Sequence, residues 1–325
     1  MKRREFIKQI AGAAVFWPLT AVAQQSTATI GVLAAPAPPY AEYVAAVKMG
    51  LSEAGYVEGR NLAIEYRWAE GRYERLPALA KQLVERQVAV IVTMGGPAPV
   101  TAAMQATSTI PILFHLGSDP VEFGFVKSWN KPDRNVTGAV FLALTVAAKR
   151  LGLLHELVPT ATTVGLLLNP RNPNSPSSEE DVRRASTQLG LNVQIVRAST
   201  KSEIDSAFAA LKEQSIKALF VNPDPFFLTS RKQITELASR TAIAAVYPYR
   251  EYADVGGLMS YGASVADAYR LAGTYAGRIL KGENVANLPV QQSTKVELVI
   301  NLRTAKALGL RVPTTLLTSA DEALD

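Results

Sequence analysis

From Thr29 onward the chain alternates short unbroken apolar runs with longer stretches in which apolar residues recur every three or four positions. Residues 30–33, 62–66, 88–92 and 112–114 are runs of the first kind, and such runs predict strands buried on both faces. Between the first two, Tyr40, Val44, Val47 and Leu51 fall on one helical face, with Gly55 at the C-terminal cap position. A second series repeats the scheme at 164–168, 193–196, 218–221 and 244–247, and places Ile204, Phe208 and Leu211 at helical spacing. Strand–helix alternation with continuously apolar strands predicts parallel sheets covered by helices on both faces. Two such series predict two doubly wound α/β lobes.

Turn-rich segments mark where the chain is expected to pass between lobes. The first lies at 130–138, with Pro132, Asp133, Asn135 and Gly138; the second runs from Gly256-Gly257 to Gly262. After the second, Val265, Ala268, Ala272, Tyr275 and Ile279 share a helical face that Gly282 ends. The tail at 288–310 adds a strand-like run at 296–300 and a further helix. Upstream of both series, residues 1–23 carry a basic start, an apolar run at 10–19 and Ala21-Val22-Ala23. That order fits a secretory signal peptide cleaved after about Ala23. The apolar run is about half of what a membrane span needs. Lys2-Arg3-Arg4-Glu5-Phe6-Ile7-Lys8 fits either a twin-arginine signature or an ordinary Sec signal. The mature chain is therefore expected in the periplasm.

Composition narrows the chemistry. Of 325 residues 48% are hydrophobic and 19% charged, which suits a folded chain rather than a disordered one. With no cysteine and only His115 and His155, thiol chemistry, disulfides, iron–sulfur clusters and Cys- or His-rich metal sites are excluded. No cofactor is implied. Half of the net charge of +6 sits in the first eight residues. The remaining charge forms no basic stripe with interleaved aromatics, so nucleic acid is set aside as a partner.

The informative loops follow the strands. Tyr40 stands after the first, Gly95 and Gly96 before Pro97 after the third, and Ser118 and Asp119 after the fourth. In the second series the corresponding residues are Asn169, Asn222, Asp224 and Tyr249, joined by Ser260 and Tyr261 from the strand-like run near Gly262. Ligands of parallel α/β sheets bind outside the carboxyl ends of the strands, so two lobes predict one cleft between them. A Gly-Gly-Pro sequence ahead of a helix suits an anion. A zwitterionic amino acid fits this set, its carboxylate on the Gly95-Gly96 amides, its ammonium on Asp119 and its side chain against tyrosines. A cleft of this kind is expected to close by a hinge motion.

Catalytic motifs are weak. Ser260-Tyr261-Gly262 has the end of a nucleophile elbow, but Leu258 replaces its first glycine. No phosphate-cradling glycine motif sits at a strand–helix junction. An exported hydrolase using Ser260, or a ligand sensor for a membrane receptor, are the alternatives to a binding protein.

Six segments carry a resemblance: His115-Leu-Gly-Ser-Asp-Pro-Val-Glu, Asn135-Val-Thr-Gly, Leu168-Asn-Pro-Arg-Asn-Pro-Asn174, Asn222-Pro-Asp-Pro-Phe-Phe227, Gly256-Gly-Leu-Met-Ser-Tyr-Gly262 and Val296-Glu-Leu-Val-Ile-Asn-Leu302. They resemble ABC-transporter substrate-binding proteins of the tryptophan/tyrosine-binding type across nearly the whole mature chain. The resemblance implies a type I periplasmic binding-protein fold with three crossovers, the third near Asn287. It also implies an N-terminal lobe at 26–140 plus 264–286 and a C-terminal lobe at 141–263 plus 287–325. An aromatic or apolar amino acid as ligand, an inner-membrane ABC permease as partner, and no chemistry performed are further implications. The mature chain is expected as a monomer.

Overall fold

The computed structural model describes residues 27–35, 41–141, 146–293 and 296–325. Residues 1–26, where a signal peptide is expected, and Tyr40 lie outside the described residues. In the first lobe the order is β1 (Ala28–Ala34), α1 (Ala41–Glu53), β2 (Leu62–Trp68), α2 (Leu76–Glu85), β3 (Ile91–Met94), α3 (Pro97–Ala106), β4 (Ile112–Leu116) and β5 (Val136–Phe141). The second begins with α4 (Ala147–Leu157), β6 (Thr163–Leu168), α5 (Ser175–Gln188), β7 (Asn192–Arg197), α6 (Lys201–Glu213) and β8 (Ala218–Val221). It continues through α7 (Pro225–Thr229), α8 (Arg231–Thr241), β9 (Ala244–Tyr247), α9 (Arg250–Ala253) and β10 (Met259–Ala263). The chain then runs through α10 (Val265–Leu280), β11 (Gln291–Ser293), β12 (Val296–Asn301), α11 (Leu302–Ala307), α12 (Thr314–Ser319) and β13 (Glu322–Leu324).

The first sheet has the order β11-β5-β4-β3-β1-β2 and the second β13-β12-β10-β9-β8-β6-β7. Five strands of each sheet share one order, β5-β4-β3-β1-β2 and β10-β9-β8-β6-β7, so the lobes repeat one doubly wound topology. Pairing is parallel throughout except between β10 and β12. The apolar runs become strands because both faces are covered: β3, β4 and β8 are buried at every position. The run at 88–92 starts later than its apolar pattern, at Ile91, because the Val88 amide still bonds back to the Leu83 carbonyl of α2.

Two crossings differ from expectation. The turn residues at 130–138 do not leave the first lobe. They feed β5, whose residues 136–140 pair with Ile112 to Leu116 of β4, and the Asn135 side-chain amide ties its start to the Ile110 carbonyl at 2.7 Å. The chain leaves that sheet only after Phe141. The third crossing falls beyond Ser293 rather than near Asn287, because β11 pairs with Ala139 to Phe141 of β5. Thr137 Oγ1, donating to the Leu288 carbonyl at 2.6 Å, and Tyr275 Oη, donating to the Pro289 carbonyl at 2.8 Å, hold that segment on the first lobe.

Between these, α10 returns from β10 to the first lobe, capped by Ser264 on the Asp267 amide. It packs on α1 at backbone distance. A Cβ on Gly50 would stand 1.9 Å from the Arg270 carbonyl oxygen, and one on Gly273 would stand 2.1 Å from that of Val47. Glycine is required at both contacts. One buried cluster then runs from Val32 and Tyr43 of the first lobe to Phe227, Tyr249 and Tyr252 of the second, so the lobes are closed on each other.

Candidate functional site

The carboxyl ends of β3, β4 and β5 face those of β6, β8 and β9 across a narrow cavity partly open to solvent. In doubly wound sheets of this order the strand order reverses between β1 and β3, and here again between β6 and β8, which is where a ligand site is expected. The cavity has two unlike walls.

The wall from the second lobe is polar and built around Asp224. Pro223 and Pro225 flank this residue, and it caps α7, its Oδ1 accepting from the Phe227 amide at 3.0 Å. Its Oδ2 accepts from Asn169 Nδ2 at 3.1 Å and from Asn172 Nδ2 at 2.7 Å. The two asparagines are themselves fixed. Asn169 Oδ1 accepts from the Arg171 amide, Asn172 Oδ1 accepts from the Asn174 amide, and Ser175 Oγ donates to the Asn169 carbonyl. Asp224 is 1% exposed. Burial raises its pKa above the ordinary carboxylate value, against the opposing pull of the Phe227, Asn172 and Asn169 donors. A carboxylate so placed is short of a positive partner.

The wall from the first lobe is aromatic, with backbone at one end. Gly95 and Gly96 take φ of +93° and +91°, which only glycine adopts without strain, and so turn β3 into the ten-residue helix α3. Their backbone lines the cavity beside the start of α3, where the helix dipole favours an anion. Next to them is His115, one residue before the end of β4, its ring stacked on those of Phe141 and Tyr269. Phe141 meets Tyr249 of the second lobe edge-on, centroids 6.1 Å apart. Val265 and Leu228 complete the apolar lining.

Of the residues singled out from sequence, Gly95, Gly96, Asp224 and Tyr249 meet at this cavity. Asn169 and Asn222 lie behind the wall, buried to 2% and 1% exposure; Asn169 supports Asp224, and the Asn222 side chain donates to the Pro223 carbonyl. Ser118 and Asp119 line a neighbouring cleft between the lobes. There Asp119 Oδ1 accepts from the Val121 amide and the Trp129 indole, both at 2.9 Å. Asp119 is therefore a turn-forming carboxylate, and the cavity's acid is Asp224. Ser260 sits inside β10 between β9 and β12 at 1% exposure, and the half-buried Tyr261 packs against the core of the second lobe. Asn172, Asn174 and Phe141 line the cavity without having been singled out. The two asparagines stood inside the Asn-Pro-Arg-Asn-Pro-Asn loop after β6, a signal that was present. Phe141 had none, since its run reads as plain strand.

Residues 31–324 match the family described as ABC transporter substrate binding protein. A tyrosine-binding protein of Clostridioides difficile (strain R20291) is 28% identical over 262 residues, covering 80% of this chain and 74% of that one. The crystal structure of a conserved domain protein from Vibrio cholerae superposes with a TM-score of 0.84 at 26% identity, covering 92% of this chain and all of that one. A domain from Streptococcus pneumonia in complex with L-Trp superposes with a TM-score of 0.81 at 24% identity, over the same shares of the two chains.

Proposed function

Because the chain belongs to the ABC transporter substrate-binding protein family, we propose that it captures a zwitterionic amino acid with an aromatic or apolar side chain in the periplasm and delivers it to an inner-membrane permease. The observation that carries the reading is Asp224, a buried carboxylate on the cavity wall with no basic side chain among its hydrogen-bond donors. A ligand ammonium supplies the missing charge. At the other end, the backbone of Gly95 and Gly96 at the head of α3 receives the carboxylate. The side chain then lies against Phe141, Tyr249 and Val265. This division of an apolar wall and a few placed polar groups is the ordinary form of a specific small-molecule pocket.

Binding proteins release their ligand unchanged, and the buried, mid-strand position of Ser260 gives a substrate no access to its hydroxyl. The N-terminal signal supports export. Among the described residues no helix is long and apolar enough to cross a membrane. The reading is tested by calorimetric titration of the purified protein with the neutral L-amino acids, their decarboxylated amines and their N-acetyl derivatives. Binding that needs both the free ammonium and the carboxylate supports it. Equal affinity for the N-acetyl forms, or no binding by any amino acid, overturns it.

A further inference from the structure

His115 is 3% exposed and lines the cavity, yet neither Nδ1 nor Nε2 has a hydrogen-bond partner among the described residues. Its ring stacks on those of Tyr269 and Phe141, with centroids 3.6 Å and 4.7 Å away. Stacking uses the faces of the ring and leaves the nitrogens on its edge unmatched. Burial keeps the imidazole neutral, its pKa pushed down to about 3, so it presents one N–H donor and one bare nitrogen. A buried donor without an acceptor is costly.

The strand register shows which end of the cavity that donor serves. β3 pairs with β4 through Val92 and Leu113, and continuing that register by two residues sets His115 level with Met94, the residue before Gly95. Neighbouring strands lie about 4.8 Å apart, so the imidazole belongs to the end of the cavity where Gly95 and Gly96 lead into α3. The cavity's other unmatched buried side-chain atom among the described residues is Asn174 Oδ1. The Asn174 amide donates to Asn172 Oδ1, which places this residue in the loop that supports Asp224. The unmatched groups therefore sort by end. An acceptor stands on the wall of Asp224, where a cation is missing, and a donor stands at the head of α3, where the helix dipole favours an anion.

We propose that His115 donates its N–H to the carboxylate of the bound ligand, completing with the Gly95-Gly96 backbone a seat that selects a carboxylate over an uncharged carboxamide. The inference rests on the amino-acid reading above. A carboxylate gives the imidazole N–H a charged acceptor, and hydrogen bonds to charged groups are roughly twice as strong as neutral ones. A carboxamide loses that charge and sets an NH₂ where the second oxygen stood, so that one donor of the ligand meets the donors of the seat.

Two measurements test this. In the first, the neutral L-amino acids and their carboxamides are titrated calorimetrically into the wild type, His115→Phe and His115→Asn. The preference of the wild type for the carboxylate over the carboxamide should fall by about 10- to 100-fold in His115→Phe. His115→Asn, which keeps a donor, should retain part of it, and ratios among different side chains should hold in all three proteins. An equal loss for acid and amide in His115→Phe marks a purely structural role and overturns the inference. Unchanged affinity for both, or altered ratios among side chains with the acid-to-amide ratio intact, overturns it too. Each of these outcomes leaves the amino-acid reading standing, whereas a wild type that binds no neutral L-amino acid overturns both. The second measurement needs no folded variant. The chain has two histidines, so nitrogen NMR of the wild-type imidazoles carries its own reference in His155 on α4. The amino acid that binds most tightly should, at saturation, displace the His115 nitrogen resonances further than its carboxamide does, and leave those of His155 in place. His115 resonances that stay put, or that move equally with acid and amide, overturn the proposal.

Discussion

The two walls of the cleft come from the same doubly wound topology but are finished differently. On the second lobe, Asp224, Asn169 and Asn172 bond to one another and to the loop backbone. That wall has its shape fixed before any ligand arrives, and what it lacks is charge. On the first lobe, the His115 ring lies against those of Phe141 and Tyr269. That wall is made mostly of packed rings. One wall is polar and bonded before any ligand arrives, the other is a set of packed rings, so the two should respond differently to substitution.

The largest expected effect breaks the acidic wall. Asp224→Asn keeps an oxygen for the Phe227 amide, but its new NH₂ faces the Nδ2 donors of Asn169 and Asn172, whose Oδ1 atoms are held by the Arg171 and Asn174 amides. The charge goes, and some loop stability goes with it, so the melting temperature of the variant is measured beside its affinity. Losing the buried partner of an ammonium costs about 2–5 kcal/mol, roughly 30- to several thousand-fold in affinity. Calorimetry should show that loss for every amino acid alike, with ratios among them preserved. A loss confined to one amino acid would instead place Asp224 at the side chain and reverse the roles of the two walls.

Next comes the helix that ties the lobes together. In Gly273→Ala the new Cβ meets the Val47 carbonyl, which is backbone and has no rotamer with which to yield. The expected cost is about 3 kcal/mol, the upper end for overpacking. It should fall on the first lobe. Apart from Trp17, which lies outside the described residues, the tryptophans are Trp68 and Trp129; Trp68 ends β2, and the Trp129 carbonyl accepts from Val290 beside β11. Urea unfolding followed by tryptophan fluorescence should therefore shift at least as much as unfolding followed by circular dichroism. A shift seen by circular dichroism alone would mean that α10 belongs energetically to the second lobe.

The walls also titrate in opposite senses. His115, depressed to about 3 in the fold, costs stability as pH falls from its ordinary 6.5, because only the unfolded chain takes up the proton. Asp224, raised by burial above its ordinary 3.8, costs stability as pH rises past that value, because the unfolded chain gives up its proton first. Each contributes up to about 1.4 kcal/mol per pH unit while its proton count differs by one between the states. Chemical unfolding of the ligand-free protein between pH 4 and 6.5 should lose stability less steeply on acidification in His115→Phe. In Asp224→Asn the slope should become steeper. Parallel curves for the wild type and either variant would contradict the assigned protonation state.

Periodicity made the two lobes and their strands legible, because every apolar run long enough to be buried on both faces became a strand in one of two equivalent sheets. The crossings were less legible. Pro132, Asp133 and Asn135 have the chemistry of a linker, and only the pairing of residues 136–140 with β4 shows that they are an ordinary turn within a sheet. At the site, Gly95, Gly96, Asp224 and Tyr249 were readable as strand-end residues. Asp119 and Asp224 were equivalent in sequence, each an acid before or between prolines. What separates them is the neighbour each finds: an indole N–H for Asp119 and two asparagine amides at a cavity for Asp224. Such neighbours come from 10 to 55 positions away, beyond any local pattern.

The smallest effect concerns what keeps the walls opposed. Tyr43 of α1 is 1% exposed, and its hydroxyl donates to Glu251 Oε1 of α9 at 2.8 Å, a bond from one lobe to the other. Tyr43→Phe removes the hydroxyl and leaves the ring tilted against that of Tyr269. The net worth of such a bond is about 0.5–1.5 kcal/mol, or two- to tenfold in affinity. If the lobes part when the cleft is empty, the bond exists only in the closed form, and its loss shifts the balance toward the open one. Calorimetry should then show weaker binding for every ligand by one common factor, with the melting temperature of the ligand-free protein unmoved. X-ray scattering should show a smaller radius of gyration for the liganded wild type than for the ligand-free protein. If the ligand-free melting temperature falls while affinity holds, the Tyr43–Glu251 bond persists in the empty protein, and the two walls stand opposed with or without a ligand between them.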